Sequence, residues 1–218
     1  MNIKRIIQKL FGHKVVIEPI VDYNRYSNID KSYSGGSLAD SNILIVTNTD
    51  IPHELIHSLQ VNEKVTVAVL HPEAKLTQTD IINAASQLIG PFLHIINIYK
   101  KDETTSLMSA DGSYPATDSM YQVYQWLQEE VSYLVPMNQY ASICSAYIGD
   151  DSQYSEALNK NMDMCFRGLG EVMANHSIIN NGIVASSTIP MSEVINTAVY
   201  MSSKYGQILT GEVLHLKD

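Results

Sequence analysis

From residue 42 onward the chain alternates short apolar runs with longer segments in which apolar residues recur every three or four positions. Continuous apolar runs are typical of strands buried in a parallel sheet, and the three-to-four spacing is typical of amphipathic helices. The runs predict strands at residues 42–47, 65–71, 92–99, 140–145, 178–184 and 212–216. The periodic segments predict helices at residues 52–60, 79–89, 119–135, 153–174 and 192–204. This alternation predicts one Rossmann-like α/β domain, a doubly wound parallel sheet over residues 42–218.

The first 41 residues follow a different pattern. Apolar residues between Ile3 and Phe11 recur at helical spacing with basic residues between them, which predicts a short amphipathic basic helix. Residues 15–20 form a possible edge strand, and residues 22–41 are a polar connector rich in Tyr, Ser, Asn, Asp and Gly. We favour docking of the helix on its own domain or a second copy over membrane binding, because one short helix anchors weakly.

The amino-acid composition limits which partners and which cellular compartment we expect for this protein. The chain has 218 residues, enough for one domain with a full core, and a formal net charge of −9. An acidic surface repels phosphate backbones, which argues against nucleic acid as a partner. No apolar run is long enough to predict a transmembrane segment. Cys144 and Cys165 lack metal-ligand spacing, and free thiols in a reducing compartment predict a cytoplasmic protein.

The last hundred residues carry a recognisable order of motifs. Ala141–Ser145 reads ASICS, Tyr154 opens a long helix, and the chain closes on VYMSS at 199–203 and LTGEVL at 209–214. This order resembles the C-terminal half of the short-chain dehydrogenase/reductase (SDR) family, in which a Tyr-x-x-x-Lys helix precedes a strand, a Pro-Gly turn and an "iTGqvl" strand. The resemblance implies an SDR-type fold and an NAD(P) cofactor. It places Ser145 and Tyr154 at the catalytic serine and tyrosine positions, and Thr47 and Asn97 at cofactor-binding positions.

The phosphate-binding turn of the family is absent. The family reads TGxxxGxG after its first strand, where glycine lets the backbone approach pyrophosphate at a helix N-terminus. Residues 47–54 read TNTDIPHE here, with no glycine. Asp50 and Glu54 would face phosphate with like charge, and Pro52 lacks an N–H donor. We therefore predict that the protein binds no cofactor. NAD(P) remains the expected cofactor only under the alternative that the protein is an enzyme.

Three further departures concern the catalytic residues. Leu158 stands where the family has the lysine that lowers the pKa of the tyrosine, and Lys160 lies about 240° around the helix from Tyr154. Ser119 stands where the family has a helical asparagine, and the Pro-Gly turn is replaced by Ala185–Ser186. The segment between the first two strands fits one helix, so a strand–helix unit of the family is lost, with residues 15–20 at the vacated edge.

A zinc-binding pattern overlaps the missing turn. His53, Glu54 and His57 match HExxH, in which two imidazoles on one helix face bind Zn²⁺ and the glutamate acts as general base. The pattern lacks a third ligand at metzincin spacing, and Glu63 and Glu73 are conjectural candidates. We therefore predict no metal site and keep a zinc hydrolase as a minority hypothesis.

The leading functional hypothesis is an SDR-like pseudoenzyme that acts as a structural or regulatory partner. The resemblance implies pairing through helices 119–135 and 153–174, in a homo-oligomer or in a heterodimer with an active relative. The second helix supplies an apolar stripe that also favours a packing role for Tyr154, formed by Tyr154, Leu158, Met162, Cys165, Leu169 and Val172. The alternative is an atypical NAD(P)-dependent carbonyl reductase in which Ser145 and Tyr154 still act.

Overall fold

The structure is a computed structural model that describes residues 16–17, 38, 41–63, 65–70, 78–100, 115–149, 153–203, 205–206 and 209–217. The predicted basic helix and most of the polar connector lie outside these ranges. The strands are β1 Val16–Ile17, β2 Asn42–Thr47, β3 Thr66–Leu70, β4 His94–Lys100, β5 Ala141–Gly149, β6 Ile178–Ser186 and β7 Val213–Leu216. The helices are α1 His53–Glu63, α2 Gln78–Ile89, α3 Pro115–Leu134, α4 Gln153–Ala174 and α5 Met191–Ser202, with a 3-10 turn at Val135–Met137.

The strands form one sheet in the order β1-β3-β2-β4-β5-β6-β7. Neighbouring strands from β3 to β7 are parallel, and β1 pairs antiparallel with the outer edge of β3. The predicted doubly wound parallel sheet is therefore confirmed. A single helix, α1, joins β2 to β3, and the predicted edge strand occupies the outer position over Val16–Ile17.

Two apolar layers cover the sheet, because the central strands are buried on both faces and their side chains alternate between them. One layer packs beneath α2, α3 and α4, where Ile82, Leu127 and Phe166 meet the sheet. The opposite layer packs beneath α1 and α5, where Ile56 and Val194 meet it. The described part of the chain contains no helix long and apolar enough to cross a membrane.

Two strands extend further than predicted. β5 continues four residues past Ser145 to Gly149, and β6 continues through Ala185 to Ser186. Both extensions stay hydrogen-bonded to each other, from the Ser145–Gly182 pair to the Gly149–Ser186 pair. The placement of a turn at Ala185–Ser186 was therefore wrong. The turn follows β6 instead and is closed by the Ile189 N–H, which donates to the Ser186 carbonyl.

The buried face of α4 also differs from the predicted stripe. Met162, Phe166 and Met173 face the core, whereas Val172 is 59% exposed. Phe166 packs against Gly182 of β6, where an added Cβ would lie 2.3 Å from the ring. Cys165 and Leu169 are half-buried at the border of the core. Of the described members of the predicted stripe, Met162 therefore faces the core, Cys165 and Leu169 border it, and Val172 faces solvent.

Candidate functional site

The strand order reverses beside β2, which places a crevice at the carboxyl ends of β2 and β4. From β2 the chain passes through α1 to β3 on one side, and later through α2 to β4 on the other. Ligands of open parallel sheets bind in the crevice formed at such a reversal. Thr47 ends β2 and Lys100 ends β4, so the groups that follow β2 decide what this crevice can hold.

Asn48 bridges the two sides of this crevice. Its Oδ1 accepts a hydrogen bond from the Lys100 N–H at 2.8 Å, and its Nδ2 donates to the Lys100 carbonyl at 2.8 Å. The Asn48 N–H also donates to the Ile98 carbonyl, at 3.4 Å. A side-chain amide therefore continues the β2–β4 pairing by one residue, and both of its polar atoms are used in doing so.

The first backbone donors after β2, the N–H groups of Asn48 and Thr49, are both engaged. The Thr49 N–H donates to Thr47 Oγ1 at 3.1 Å, and the same hydroxyl donates to the Thr49 carbonyl at 3.0 Å. Pro52 precedes α1 and has no N–H, and the exposed Asp50 and Glu54 flank it. A dinucleotide pyrophosphate needs free N–H groups at a helix N-terminus, without opposing charge. These residues therefore do not fit the pyrophosphate of NAD(P).

Asn97 and Ser145 do lie together, but inside the sheet. They are register partners on β4 and β5, and Asn97 Nδ2 donates to Ser145 Oγ at 3.2 Å. The same Nδ2 lies 2.9 Å from Oε2 of Glu130, which enters this layer from α3. Ser145 is 2% exposed, and β5 continues for about 13 Å beyond it at roughly 3.3 Å per residue.

Glu130 is fully buried in this cluster. Its Oε1 and the Asn97 Oδ1 have no hydrogen-bond partner in the described part of the chain. Burial raises the pKa of Glu130 to about 8, and the hydrogen bond from Asn97 opposes that shift. The carboxyl group is therefore neutral at neutral pH, since an unpaired carboxylate is very costly in an apolar layer. A sequence signal existed, because Glu130 lies between Leu127 and Leu134 on the apolar side of its helix.

An aromatic cluster separates these polar groups from the carboxyl ends of the strands. Tyr99 and Tyr147 lie two residues beyond Asn97 and Ser145 on the same sheet face, and their rings stack at 5.8 Å. Trp126 of α3 meets Tyr99 edge-on at 6.5 Å. Each of the three side chains is at most 9% exposed. A substrate approaching from the strand ends would therefore meet packed rings before Ser145.

The remaining catalytic positions lie on the helices. Tyr154 and Leu158 fall in the first two turns of α4, and Ser119 falls in the second turn of α3. The described residues include their backbones but not their side chains. Lys160 is exposed on α4.

The HExxH residues do not form a metal site with the described residues around them. His53 and Glu54 are exposed at the start of α1, and His57 follows one turn later. Glu63 lies at the far end of α1, about 15 Å away at 1.5 Å per residue, where it accepts a hydrogen bond from the Leu38 N–H. Glu73 lies outside the described residues. No group of three or more His, Cys, Asp or Glu within the described ranges could hold a metal ion.

Sequence analysis missed a buried polar pair in β6. Asn180 Nδ2 donates to the Phe166 carbonyl of α4, and Asn181 Nδ2 donates to the Met201 carbonyl of α5. The segment before β7 joins them, because the Gly211 N–H donates to the Asn180 carbonyl at 2.8 Å. Asn181 Oδ1 also accepts a hydrogen bond from the Glu212 N–H at 3.2 Å, so the Asn180 carbonyl and the Asn181 amide together link the segment before β7 to β6 and its flanking helices. The signal was visible, since they interrupt an otherwise apolar run.

Three other buried groups have shifted pKa values. Burial lowers the pKa of His94 to about 4, and its Nδ1 lies 2.8 Å from Ser142 Oγ at the opposite end of the sheet. Burial raises the pKa of Cys144 to about 12 and also raises that of the half-buried Cys165. Both cysteines are free, and raised pKa values make them poor nucleophiles.

No family model and no curated protein matches the sequence. Solved structures do match the fold. A short-chain dehydrogenase from Mycobacterium smegmatis superposes with a TM-score of 0.64 at 11% identity, over 87% of this chain and 97% of that chain. A double mutant of a Serratia marcescens short-chain dehydrogenase/reductase gives 0.61 at 12% identity, over 83% and 97%. A short-chain dehydrogenase from Oenococcus oeni gives 0.56 at 11% identity, over 82% and 96%.

These matches confirm the resemblance at the level of the fold. The chain has the Rossmann-like fold of the short-chain dehydrogenases/reductases, and it covers nearly the full length of each of these structures. The identities are too low to carry over an activity, a substrate or a cofactor. Function has to be argued from the crevice and from the helix faces of this chain.

Proposed function

We propose that this protein is a non-catalytic member of the SDR fold class that binds no dinucleotide and acts as a structural or regulatory partner. The closed crevice carries the proposal. Asn48 uses both atoms of its amide on Lys100, and Thr47 engages the Thr49 N–H. A dinucleotide would have to break these contacts and then meet two exposed carboxylates, at Asp50 and Glu54, with no glycine turn to receive it.

The expected catalytic groups support the same proposal. Ser145 is 2% exposed and accepts a hydrogen bond from Asn97 within the sheet. Leu158 takes the place of the lysine that would lower the pKa of Tyr154. Hydride transfer with general acid catalysis needs a bound nucleotide and an accessible acid together. This chain departs from the reductase pattern at both.

The direct test is a calorimetric titration of the purified protein with NADH and NADPH. We expect no saturable heat at millimolar nucleotide, because the Asn48 and Thr49 N–H groups are engaged and the exposed Asp50 and Glu54 would repel phosphate. Saturable binding would contradict the proposal and favour the alternative, an atypical NAD(P)-dependent carbonyl reductase. That alternative further requires turnover of a ketone that is lost in Tyr154→Phe.

A partner surface is expected on the outer side of α4. Met164 is 72% exposed and Val172 is 59% exposed, with Gly168 one turn from each along the helix. An added Cβ at Gly168 would meet nothing within 4 Å. Glycine costs a helix interior about 1 kcal/mol relative to alanine, and packing within this chain does not require it. A second helix packed closely against this face would account for Gly168, because a larger side chain would hold the two helices apart.

We propose that α3 and α4 pair with a second copy or with an active relative of the same fold. Tyr124, 50% exposed on α3, would add aromatic area to the surface. Sedimentation tests self-pairing, with a dimer expected at micromolar concentration. A monomer at high micromolar concentration would leave the heterodimer as the remaining form of the proposal. A cytoplasmic location stays a prediction that rests on the two free thiols.

Gly168→Ala tests the α4 face. The added methyl should stabilise an isolated helix but separate two close helices, so we expect the dimer dissociation constant to rise about tenfold, equivalent to about 1.4 kcal/mol. Asn196→Ala, an exposed helix substitution on α5, is the matched control and should leave dimerisation unchanged. Equal dissociation constants for Gly168→Ala and wild type would contradict the assignment of this face.

A further inference from the structure

Glu130 is the one described carboxyl group that is completely removed from solvent without a cation beside it. Its side chain is 0% exposed, and its hydrogen-bond partner is the Asn97 amide, 2.9 Å from Oε2. Oε1 has no partner among the described residues. A carboxylate in this position would lack both a counter-charge and half of its hydrogen bonds, so the geometry favours the neutral acid.

We propose that Glu130 works as a proton-dependent lock, which holds helix α3 against the sheet while the carboxyl group is protonated and releases that hold as the proton is lost. The lock joins α3 to β4 and β5, because Asn97 reaches both Glu130 and Ser145. It is independent of the proposed function, since it concerns the stability of the fold and not the crevice.

Among the side chains that the structure describes, no other titratable group around α3 supplies a counter-charge to Glu130. On the sheet face beneath α3, the titratable neighbours are Tyr99 and Tyr147. His94 and Cys144 lie on the opposite face, by the alternation of side chains along β4 and β5. The charged residues of the flanking helices α2 and α4 whose side chains are described are Asp80, Lys160, Asp163 and Arg167, of which Asp163 pairs with Arg167.

The direction of the pH effect follows from the buried state. The pKa of Glu130 rises from its ordinary 4.5 to about 8 in the folded protein. Between these values the folded state keeps a proton that the unfolded state releases, so stability falls as pH rises. His94 has the opposite effect below its ordinary pKa of 6.5, because its pKa falls to about 4 on folding. Between about pH 6.5 and about pH 8, the loss of stability with rising pH therefore reports Glu130 without the opposing effect of His94.

Denaturant unfolding of wild type and Glu130→Gln across this window tests the lock. The wild-type unfolding constant should rise several-fold per pH unit, approaching the tenfold limit for one proton. Glu130→Gln should remove most of this slope and be the more stable protein at pH 8. Glu129→Gln is the matched control on the same helix, where Thr79 Oγ1 donates to the half-buried Glu129, and it should keep the wild-type slope. Equal slopes in wild type and Glu130→Gln would overturn the proposal.

Infrared spectroscopy of the wild-type protein keeps the test decisive if Glu130→Gln fails to fold. At pH 7 we expect the C=O stretch of a protonated carboxylic acid, which should fade as the pH is raised above about 8 and should persist in Glu129→Gln. A spectrum at pH 7 with ionised carboxylates alone would overturn the proposal. Faster amide exchange of α3 in wild type than in Glu130→Gln at pH 8 would place the loosening in this helix.

Discussion

The crevice at the ends of β2 and β4 and the polar cluster beneath α3 differ in how completely their polar groups are paired. In the crevice, Asn48 uses both amide atoms on the N–H and the carbonyl of one residue, Lys100, at 2.8 Å each. Beneath α3, Asn97 and Glu130 each leave one oxygen without a partner in the described part of the chain. The first region is where this fold class would bind a ligand, and the second is where packing alone would be expected.

The two regions illustrate different consequences of placing polar residues in the same fold. Under the proposed function, the fully paired Asn48 amide at the end of β2 stands where a dinucleotide would otherwise approach the strand ends. An incompletely paired carboxyl group in the core makes stability depend on a proton, because its charged form has nothing to stabilise it. The proposed loss of dinucleotide binding in the crevice is therefore compatible with a core whose stability depends on pH.

The largest effect is expected from Asn97→Leu. The substitution keeps a similar volume but leaves Glu130 and Ser145 without their shared donor, so we expect a loss of about 3 kcal/mol in the free energy of unfolding. Chemical denaturation at pH 7 provides the measurement. The double variant Asn97→Leu with Glu130→Met should recover much of the loss, since removing both partners leaves no buried carboxyl group. A double variant that loses the sum of both single effects would contradict this account of the cluster.

A smaller effect is expected from Asn48→Ala. Two hydrogen bonds to Lys100 are lost, but they are exposed and water replaces them, so the expected destabilisation is about 1 kcal/mol. Asn196→Ala, which removes an exposed amide elsewhere, should stay within about 0.5 kcal/mol of wild type. Opening the crevice should not create nucleotide binding, because Asp50, Glu54 and Pro52 remain. Saturable NADPH binding by Asn48→Ala would show that Asn48 alone excludes the cofactor.

The framework of the fold was open to prediction because it depends on local patterns. β2 and α4 have the bounds that apolar runs and helical spacing predicted, and the resemblance, strongest after Tyr140, indicated the fold class. Strand ends were harder to predict. A serine inside β5 looked like the end of the strand, although Ala146 and Ile148 continue its buried pattern.

The decisive contacts of both regions join residues far apart in the sequence. Asn48 and Lys100 are 52 positions apart, and Asn97 and Glu130 are 33 apart. A single sequence shows that each residue is polar, but not which partner it meets across the sheet. The absence of a glycine-rich turn was therefore visible in the sequence, whereas the hydrogen bonds of Asn48 to Lys100 needed the structure.

The most direct test of the closed crevice is nuclear magnetic resonance of the Thr49 and Lys100 amides with and without NADPH. Both N–H groups donate to side chains, to Thr47 Oγ1 and to Asn48 Oδ1, so they should keep their resonance positions when nucleotide is added. Saturable shifts of these two resonances would contradict the account, because the crevice would then be able to receive a dinucleotide.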